Sequence, residues 1–343
     1  METIFIKGQF RNSRILVGES VSNLSEHIPG GQVFIITDTH VNEGYKDAFP
    51  YAPVYVLTPG EQRKTTSAAV KICQWLIEKG AGRDAFLVGI GGGMVCDLTG
   101  FVASVYMRGV NFGFVATSLL AQVDAALGGK NGVNLDGYKN IIGTFNHPHF
   151  VLCDTSMLES LPETEIKNGL AEAVKHTLIA DRHMFNALEK ETEAALDLDE
   201  SMINKLVKHS VQVKSDIVSK DEVEQGERRK LNLGHTWGHA VEKVDGIPHG
   251  HAVSVGMAFT ASISEYKGLM KPEDRQRVLN LLQSLGLPTE TDTNVKTIFQ
   301  ALLKDKKKEE DHIYFVFMEG IGNVCIELIP LAELEEFVFS GKL

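Results

Sequence analysis

Glu172 in NGLAEAVKH, His235 in LNLGHTWGHAVE and His249 in PHGHAVSVGM are three residues of metal-ligand type on segments with helical patterning. Two neutral imidazoles and one carboxylate, with a coordination position left open, suit a catalytic zinc ion. Upstream, the apolar run FLVGI leads into the glycine turn GIGGGMVCDLTG, Gly89 to Gly100. Such a turn between a strand and a helix can hold a pyrophosphate, because the first N–H groups of the helix are unpaired and face it. Together the two signals suggest a chain that binds both a nucleotide and a metal. Each has a plainer reading. His235 and His239 could be two surface histidines four apart, and the glycines could serve only a tight turn.

The neighbouring residues add chemistry. Met94 stands where the dinucleotide fingerprint GxGxxG would place its third glycine, so the turn is not that fingerprint. Asp97, one turn into the following helix, suits a ribose or substrate hydroxyl better than a phosphate. The stretch from Ala116 to Gly143 carries Thr117, Ser118, Asp124, Lys130, Lys139 and Asn140. It reads as glycine-rich turns that would suit a phosphorylated, polyhydroxylated ligand; a solvated loop is the alternative. Lys175 follows Glu172 by three residues, so both share a helix face. The lysine could hold an anionic substrate against a metal, or the two could form a surface ion pair of little weight. Lys214, Glu224, Arg228 and Asn232 precede the histidines, and DKKK at Asp305–Lys308 reads by itself as a solvated charge run.

These residues need elements to aim them. The first part of the chain alternates short apolar runs with helical stretches. Strands are expected at Thr3–Lys7, Ile15–Gly18, Val33–Asp38, Val54–Thr58, Phe86–Ile90, Phe112–Ala116 and Phe150–Asp154, with a helix over Thr65–Lys79. That alternation predicts a Rossmann-like, mostly parallel sheet covered by helices. Later the pattern turns helical, at Asn168–Ile179, Met202–Lys220, Gly234–Val244, His251–Gly268 and Glu273–Leu285, with strands only at Ile313–Met318 and Asn323–Leu328. The expected fold class is thus an α/β N-terminal domain, residues 1–157, and a mainly α-helical C-terminal domain, residues 158–343, opened by LPETE.

Composition narrows the classes. The net charge of -11 disfavours a nucleic-acid backbone as partner. No apolar run approaches the roughly 18 residues of a membrane helix. METIFIKGQFRN reads as a strand rather than a signal peptide, so a cytoplasmic location is expected. Cys73, Cys96, Cys153 and Cys325 are scattered without a CxxC pair and read as buried small hydrophobes.

At family level the chain resembles the 3-dehydroquinate synthases. The resemblance runs nearly end to end and is carried by PGEQRKT, GGGMVCDLTGF, YMRGV, SLLAQVDAALGGKNGVN, GYKNIIGTF, LPETEIKNGLAEAVK, LNLGHTWGHAVE, HGHAV and DKK. It implies one divalent metal, zinc or else cobalt, on Glu172, His235 and His249. It implies NAD against Asp38, Glu61, Lys64, Gly91, Gly92, Gly93, Asp97, Thr117, Ser118 and Lys139. Catalytic roles carry over to Lys130, Lys175, Lys214, Glu224 and His239. Substrate contacts carry over to Asp124, Asn140, Arg228, Asn232, Lys306 and Lys307. Arg108 would reach the substrate phosphate from the neighbouring subunit of a homodimer.

The implied substrate is a small sugar phosphate, 3-deoxy-D-arabino-heptulosonate 7-phosphate. Its carbon 5 hydroxyl is oxidised by NAD, phosphate is eliminated, the ketone is reduced again, and an aldol step closes the ring of 3-dehydroquinate. Departures from the family pattern are ATSLL, AQVDAALGGKN, Cys96 for a usual glycine, and His251 where HGEAV has glutamate. Three other readings remain. One is another sugar-phosphate cyclase, such as 2-deoxy-scyllo-inosose synthase. Another is an NAD-dependent polyol or glycerol-phosphate dehydrogenase of the same superfold. The third is a binding or regulatory protein that has kept the fold and lost activity, which loss of a zinc ligand would signal; all three candidate ligands are present. Asp97, Asn232, His239 and the DKK lysines favour the dehydroquinate type.

Overall fold

The computed structural model describes residues 1–9, 11–305 and 311–340. The chain forms two compact units, Met1–Leu161 with Lys214–Val223, and Pro162–Val213 with Glu224–Leu343.

The first unit is built on a seven-stranded sheet. Its strands are β1 (Glu2–Ile6), β2 (Ser13–Val17), β3 (Val33–Asp38), β4 (Val54–Leu57), β5 (Phe86–Gly91), β6 (Asn111–Ala116) and, after a hairpin of β7 (Lys130–Leu135) and β8 (Tyr138–Phe145), β9 (Phe150–Cys153). The order is β1-β2-β9-β6-β5-β3-β4. Only β1 runs antiparallel, against β2; the other pairs are parallel. β5 is buried at every position, as a parallel strand covered on both faces must be. Ile35, Phe86, Val88, Ile90, Val115 and Phe150 belong to its core. The helices are α1 (Leu24–His27), α2 (Thr39–Tyr45), α3 (Thr66–Glu78) and α4 (Gly93–Val105). From β3 the chain moves outward to β4, and from β5 it moves the other way to β6. The carboxyl ends of β3 and β5 therefore flank a topological switch point, where open α/β sheets place ligands.

The second unit is mainly helical: α5 (Glu163–Ala180), α6 (Arg182–Lys190), α7 (Thr192–Leu196), most of α8 (Glu200–Val218), α9 (His235–Asp245), α10 (His249–Tyr266), α11 (Pro272–Ser284), α12 (Val295–Asp305) and α13 (Leu331–Phe339). An antiparallel pair, β10 (His312–Met318) and β11 (Val324–Pro330), completes it. Its core includes Trp237 stacked on Phe259 at 4.2 Å between ring centroids, with Phe315 and Phe337 beside them.

The α/β and helical halves expected from patterning are present. Within the stretch expected to be glycine-rich turns, Ala121–Ala125 form a helical turn and the chain from Lys130 onward forms the β7–β8 hairpin. Its turn is Asp136–Gly137, flanked by the pair Leu135↔Tyr138, with φ of 49° and 81°. A two-residue turn with both φ positive suits the twist of a hairpin.

Candidate active site

In the first unit, three of the expected cofactor residues meet. The Lys64 ammonium is buried, 2.8 Å from Asp97 Oδ2 and 2.9 Å from Glu61 Oε1. Burial would lower the lysine pKa, but the two carboxylates outweigh it and raise it. Burial pushes the Asp97 carboxyl up to about 6, while Lys64 pulls it back. Asn134, which sequence reasoning passed over, ties the hairpin to this group: its amide donates to Glu61 Oε1 at 3.0 Å and its Oδ1 accepts from Asn140 N at 2.9 Å.

Asp38 ends β3 and caps α2 through Oδ1. Gly91 to Gly93 form the turn from β5 into α4. A Cβ on Gly91 would lie 2.6 Å from Val95, so the tight turn needs glycine there. Thr117 N donates to Gly91 O at 3.0 Å, and Ser118 stands over Gly92. Lys214 Nζ lies 2.8 Å from both the Asp124 carboxylate and its backbone carbonyl. Lys130, Lys139, Asn140 and Arg108 are exposed, the first three on the hairpin. Arg108 follows Met107 in a left-handed turn, with φ of 70° and 50°.

In the second unit, α5, α9 and α10 bring the three metal-type ligands together. Glu172 is fully buried, and its Oε1 lies 3.5 Å from His235 Nε2 and 3.2 Å from His249 Nε2. One ligand atom from each falls within 4.8 Å of the others. The remaining ring nitrogens are anchored elsewhere: His235 Nδ1 lies 3.1 Å from Leu233 O, and His249 Nδ1 lies 3.4 Å from Glu242 Oε2. Metal-binding imidazoles are oriented in this way, with one nitrogen donating to a carbonyl or carboxylate and the other turned to the ion. Burial and the nearby Lys175 hold His235 well below its ordinary pKa, so it is neutral. Burial lowers His249 too, but Glu172 and Glu242 outweigh it and lift it to about 9. The negative charge that lifts it is what a divalent cation would use. The donor set fits zinc.

Lys175, 1% exposed, pairs with Glu172, so this is not the surface ion pair of the plainer reading. His239, exposed, stacks edge-on to His235 at 5.1 Å between centroids. Asn232 donates to Glu224 Oε1 at 2.7 Å, and Arg228 is 1% exposed on the same short turn. Lys306 and Lys307 lie outside the described residues. Glu242 is a second group the sequence reading missed; its signal was a spacing of seven from His235 on one helix face.

Fold and site define a class first: an enzyme with a parallel α/β unit and a helical unit holding a carboxylate–imidazole pocket of metal type. A solved structure titled 2-deoxy-scyllo-inosose synthase complexed with carbaglucose-6-phosphate, NAD+ and Co2+ matches it with a TM-score of 0.86 at 27% identity, over 99% of this chain and 100% of that one. The description "3-dehydroquinate synthase N-terminal" matches residues 54–168, and "3-dehydroquinate synthase C-terminal" matches residues 169–308. A 3-dehydroquinate synthase of Thermoanaerobacter pseudethanolicus is 37% identical over 91% of each chain. One of Pyrococcus abyssi is 43% identical over 83% of this chain and 82% of its own. The chain belongs to the 3-dehydroquinate synthase family, and it is an enzyme of the lyase class.

Proposed function

We propose that the chain converts 3-deoxy-D-arabino-heptulosonate 7-phosphate to 3-dehydroquinate and phosphate, with NAD and one divalent metal, zinc first, as resident cofactors. The observation that carries this is the convergence of Glu172, His235 and His249 with Lys175 against the same carboxylate. When bound, NAD supplies a reversible oxidation, and the metal supplies a Lewis acid for the alcohol being oxidised.

The α/β unit, taken as residues 1–157, is the NAD-binding domain. Gly91, Gly92 and Gly93 open α4, whose free N–H groups suit the pyrophosphate. Asp38 and Asp97 suit ribose hydroxyls, with Glu61 and Lys64 fixing Asp97 and with Thr117, Ser118 and Lys139 lining the cofactor. Residues 158–343 form the metal-binding and substrate-binding domain, where Lys175, Arg228, Asn232 and His239 bind the anionic polyol and Glu224 orients Asn232. Asp124, Asn140, Lys130 and Lys214 supply further substrate contacts, as do Lys306 and Lys307 near the end. Several cations answer a substrate with a carboxylate and a phosphate. Exposed Arg108 serves the phosphate bound by a partner subunit of a homodimer. No helix among the described residues is long and apolar enough to cross a membrane.

The test is phosphate release from that substrate with catalytic NAD, before and after chelation. Chelator-sensitive release, with dehydroquinate formed and no net NADH, is the expected result. No release from metal-loaded protein would move the reading to another sugar phosphate, tried next as glucose 6-phosphate. Stoichiometric NADH would instead mark a dehydrogenase.

A further inference from the structure

Residues Lys214–Val223 are distant in sequence from the α/β unit, yet they belong to it. The contacts that hold them form a pattern. Ser215 Oγ donates to Phe5 O at 2.7 Å, Lys7 N donates to Ser219 Oγ at 2.9 Å, and Gln9 N donates to Glu222 Oε2 at 2.6 Å. On one side the contacts fall at every second residue, Phe5, Lys7 and Gln9, which is one edge of an extended chain. On the other side they fall four and three apart, which is one face of a helical segment and its extension. β1 is the edge strand of the sheet, so this is backbone that no further strand pairs.

Glu222 has a second attachment. Its Oε1 lies 3.3 Å from His147 Nε2, an imidazole 3% exposed. His147 follows Asn146, whose N donates to Gly129 O at 2.8 Å and whose carbonyl accepts from Asn131 Nδ2 at 2.9 Å. Gly129 immediately precedes Lys130. Gly8 leaves room for the arrangement: a Cβ there would lie 2.6 Å from His147 Cδ2. The two oxygens of one carboxylate thus tie the segment carrying Lys214 both to the N-terminal edge and to the base of the Lys130 hairpin.

We propose that Glu222, through His147 and the backbone of Gln9, is a positioning residue that sets Lys214 against Asp124 and in register with Lys130. This rests on the substrate roles given above to Lys214 and Lys130. The effect of Glu222 and His147 passes through the segments they brace.

The test compares Glu222→Ala, Lys214→Ala and the double variant, each loaded with zinc and checked for fold by circular dichroism. Misplacing a reacting group by a fraction of an ångström is costly, so Glu222→Ala should lower kcat/KM for the sugar phosphate by about 10- to 100-fold. Binding of NAD and zinc content should stay unchanged. In the Lys214→Ala background the same change should cost much less, only the part that passes through the Lys130 hairpin remaining. Equal losses in both backgrounds would overturn the proposal, as would an unchanged kcat/KM in Glu222→Ala. His147→Gln keeps a donor of similar reach and should retain most of the activity. If Glu222→Ala does not fold, Glu222→Gln serves in its place, since it removes only the charge facing His147.

A second readout needs no turnover, so failure of the functional reading stays separate. The rate of reductive methylation of Lys214, read by peptide mass spectrometry against buried Lys64, should rise in Glu222→Ala while Lys64 does not change. Equal rates at Lys214 in both proteins would overturn the positioning role even in an active enzyme.

Discussion

A carboxylate without solvent exposure has to be paid for by its partners, and Glu172 has a lysine and two imidazoles around it. His249→Ala removes a ligand nitrogen, so zinc and turnover should be lost together; activity retained in metal-free buffer would sink the assignment. Glu242→Gln leaves the ligand in place and removes only the charge behind its Nδ1. Losing such a partner costs about 10- to 100-fold in metal affinity, so competition with a chelator should show a fall of that size and not abolition. Lys175→Ala should raise KM for the sugar phosphate while NAD still binds. It also leaves a buried carboxylate without its cation, which costs about 3–5 kcal/mol in the metal-free protein. Thermal unfolding with and without zinc checks this, since metal loading should recover much of the loss. At this scale the sequence was informative. Glu172, His235 and His249 stood out because residue type limits ligand chemistry. Glu242 did not, because an acidic residue on an amphipathic helix is ordinary until its neighbour is known.

The elements that aim these residues depend on close approach. α9 and α10 cross where Gly234, Gly238 and Gly256 meet: a Cβ on Gly256 would lie 1.9 Å from Gly234 O, and one on Gly238 would lie 2.8 Å from Ala252 O. Both facing atoms are backbone, so neither helix can yield without moving its axis. His235 begins one of these helices and His249 the other. Gly256→Ala should therefore destabilise the protein by about 1–3 kcal/mol, the usual range for overpacking, and weaken zinc binding by separating the two Nε2 atoms. Chelator competition together with a melting curve tests both parts; a destabilised protein with unchanged zinc affinity would show that the crossing does not set the site. Sequence reasoning could not find this crossing, because nothing in HTWGHAVE or SVGM says which glycine faces which. The β7–β8 hairpin was different. Its Asp136–Gly137 turn was a legible hairpin signal, masked by the density of glycine around it. The parallel strands were read nearly to the residue, since a run such as VFIITD buries almost every side chain. The attachment of Lys214–Val223 to β1 was not legible, because it joins residues more than 200 apart through backbone atoms.

For the molecule as a whole, acid should be more damaging than its net charge suggests. Each unit holds a histidine kept neutral. Burial, helped by Arg11 and Arg14, lowers His149 to about 4. Burial and His176 lower His209 to about 4, although Asp181 works against them. A histidine with a depressed pKa adds stability that is present above its unfolded value near 6.5 and is lost as pH falls towards 4. Asp97, raised to about 6, acts in the opposite sense: its contribution is full below the unfolded carboxylate value and fades as pH rises through 6. Between pH 4 and 6 unfolding would take up a proton at each of His149, His209 and the buried His235 and release one at Asp97. The net of two protons gives a slope of at most about 2.7 kcal/mol per pH unit, with stability falling towards acid. His249, held at about 9, stays protonated across that window in metal-free protein and adds no slope. Unfolding by urea at several pH values, with a chelator present throughout, measures the slope directly. The pair His149→Gln and His209→Gln should flatten it, because the proton taken up at His235 is then balanced by the one released at Asp97. Asp97→Asn should steepen it, because the opposing proton is gone. If the double histidine variant keeps the parent slope, the acid sensitivity lies elsewhere in the chain.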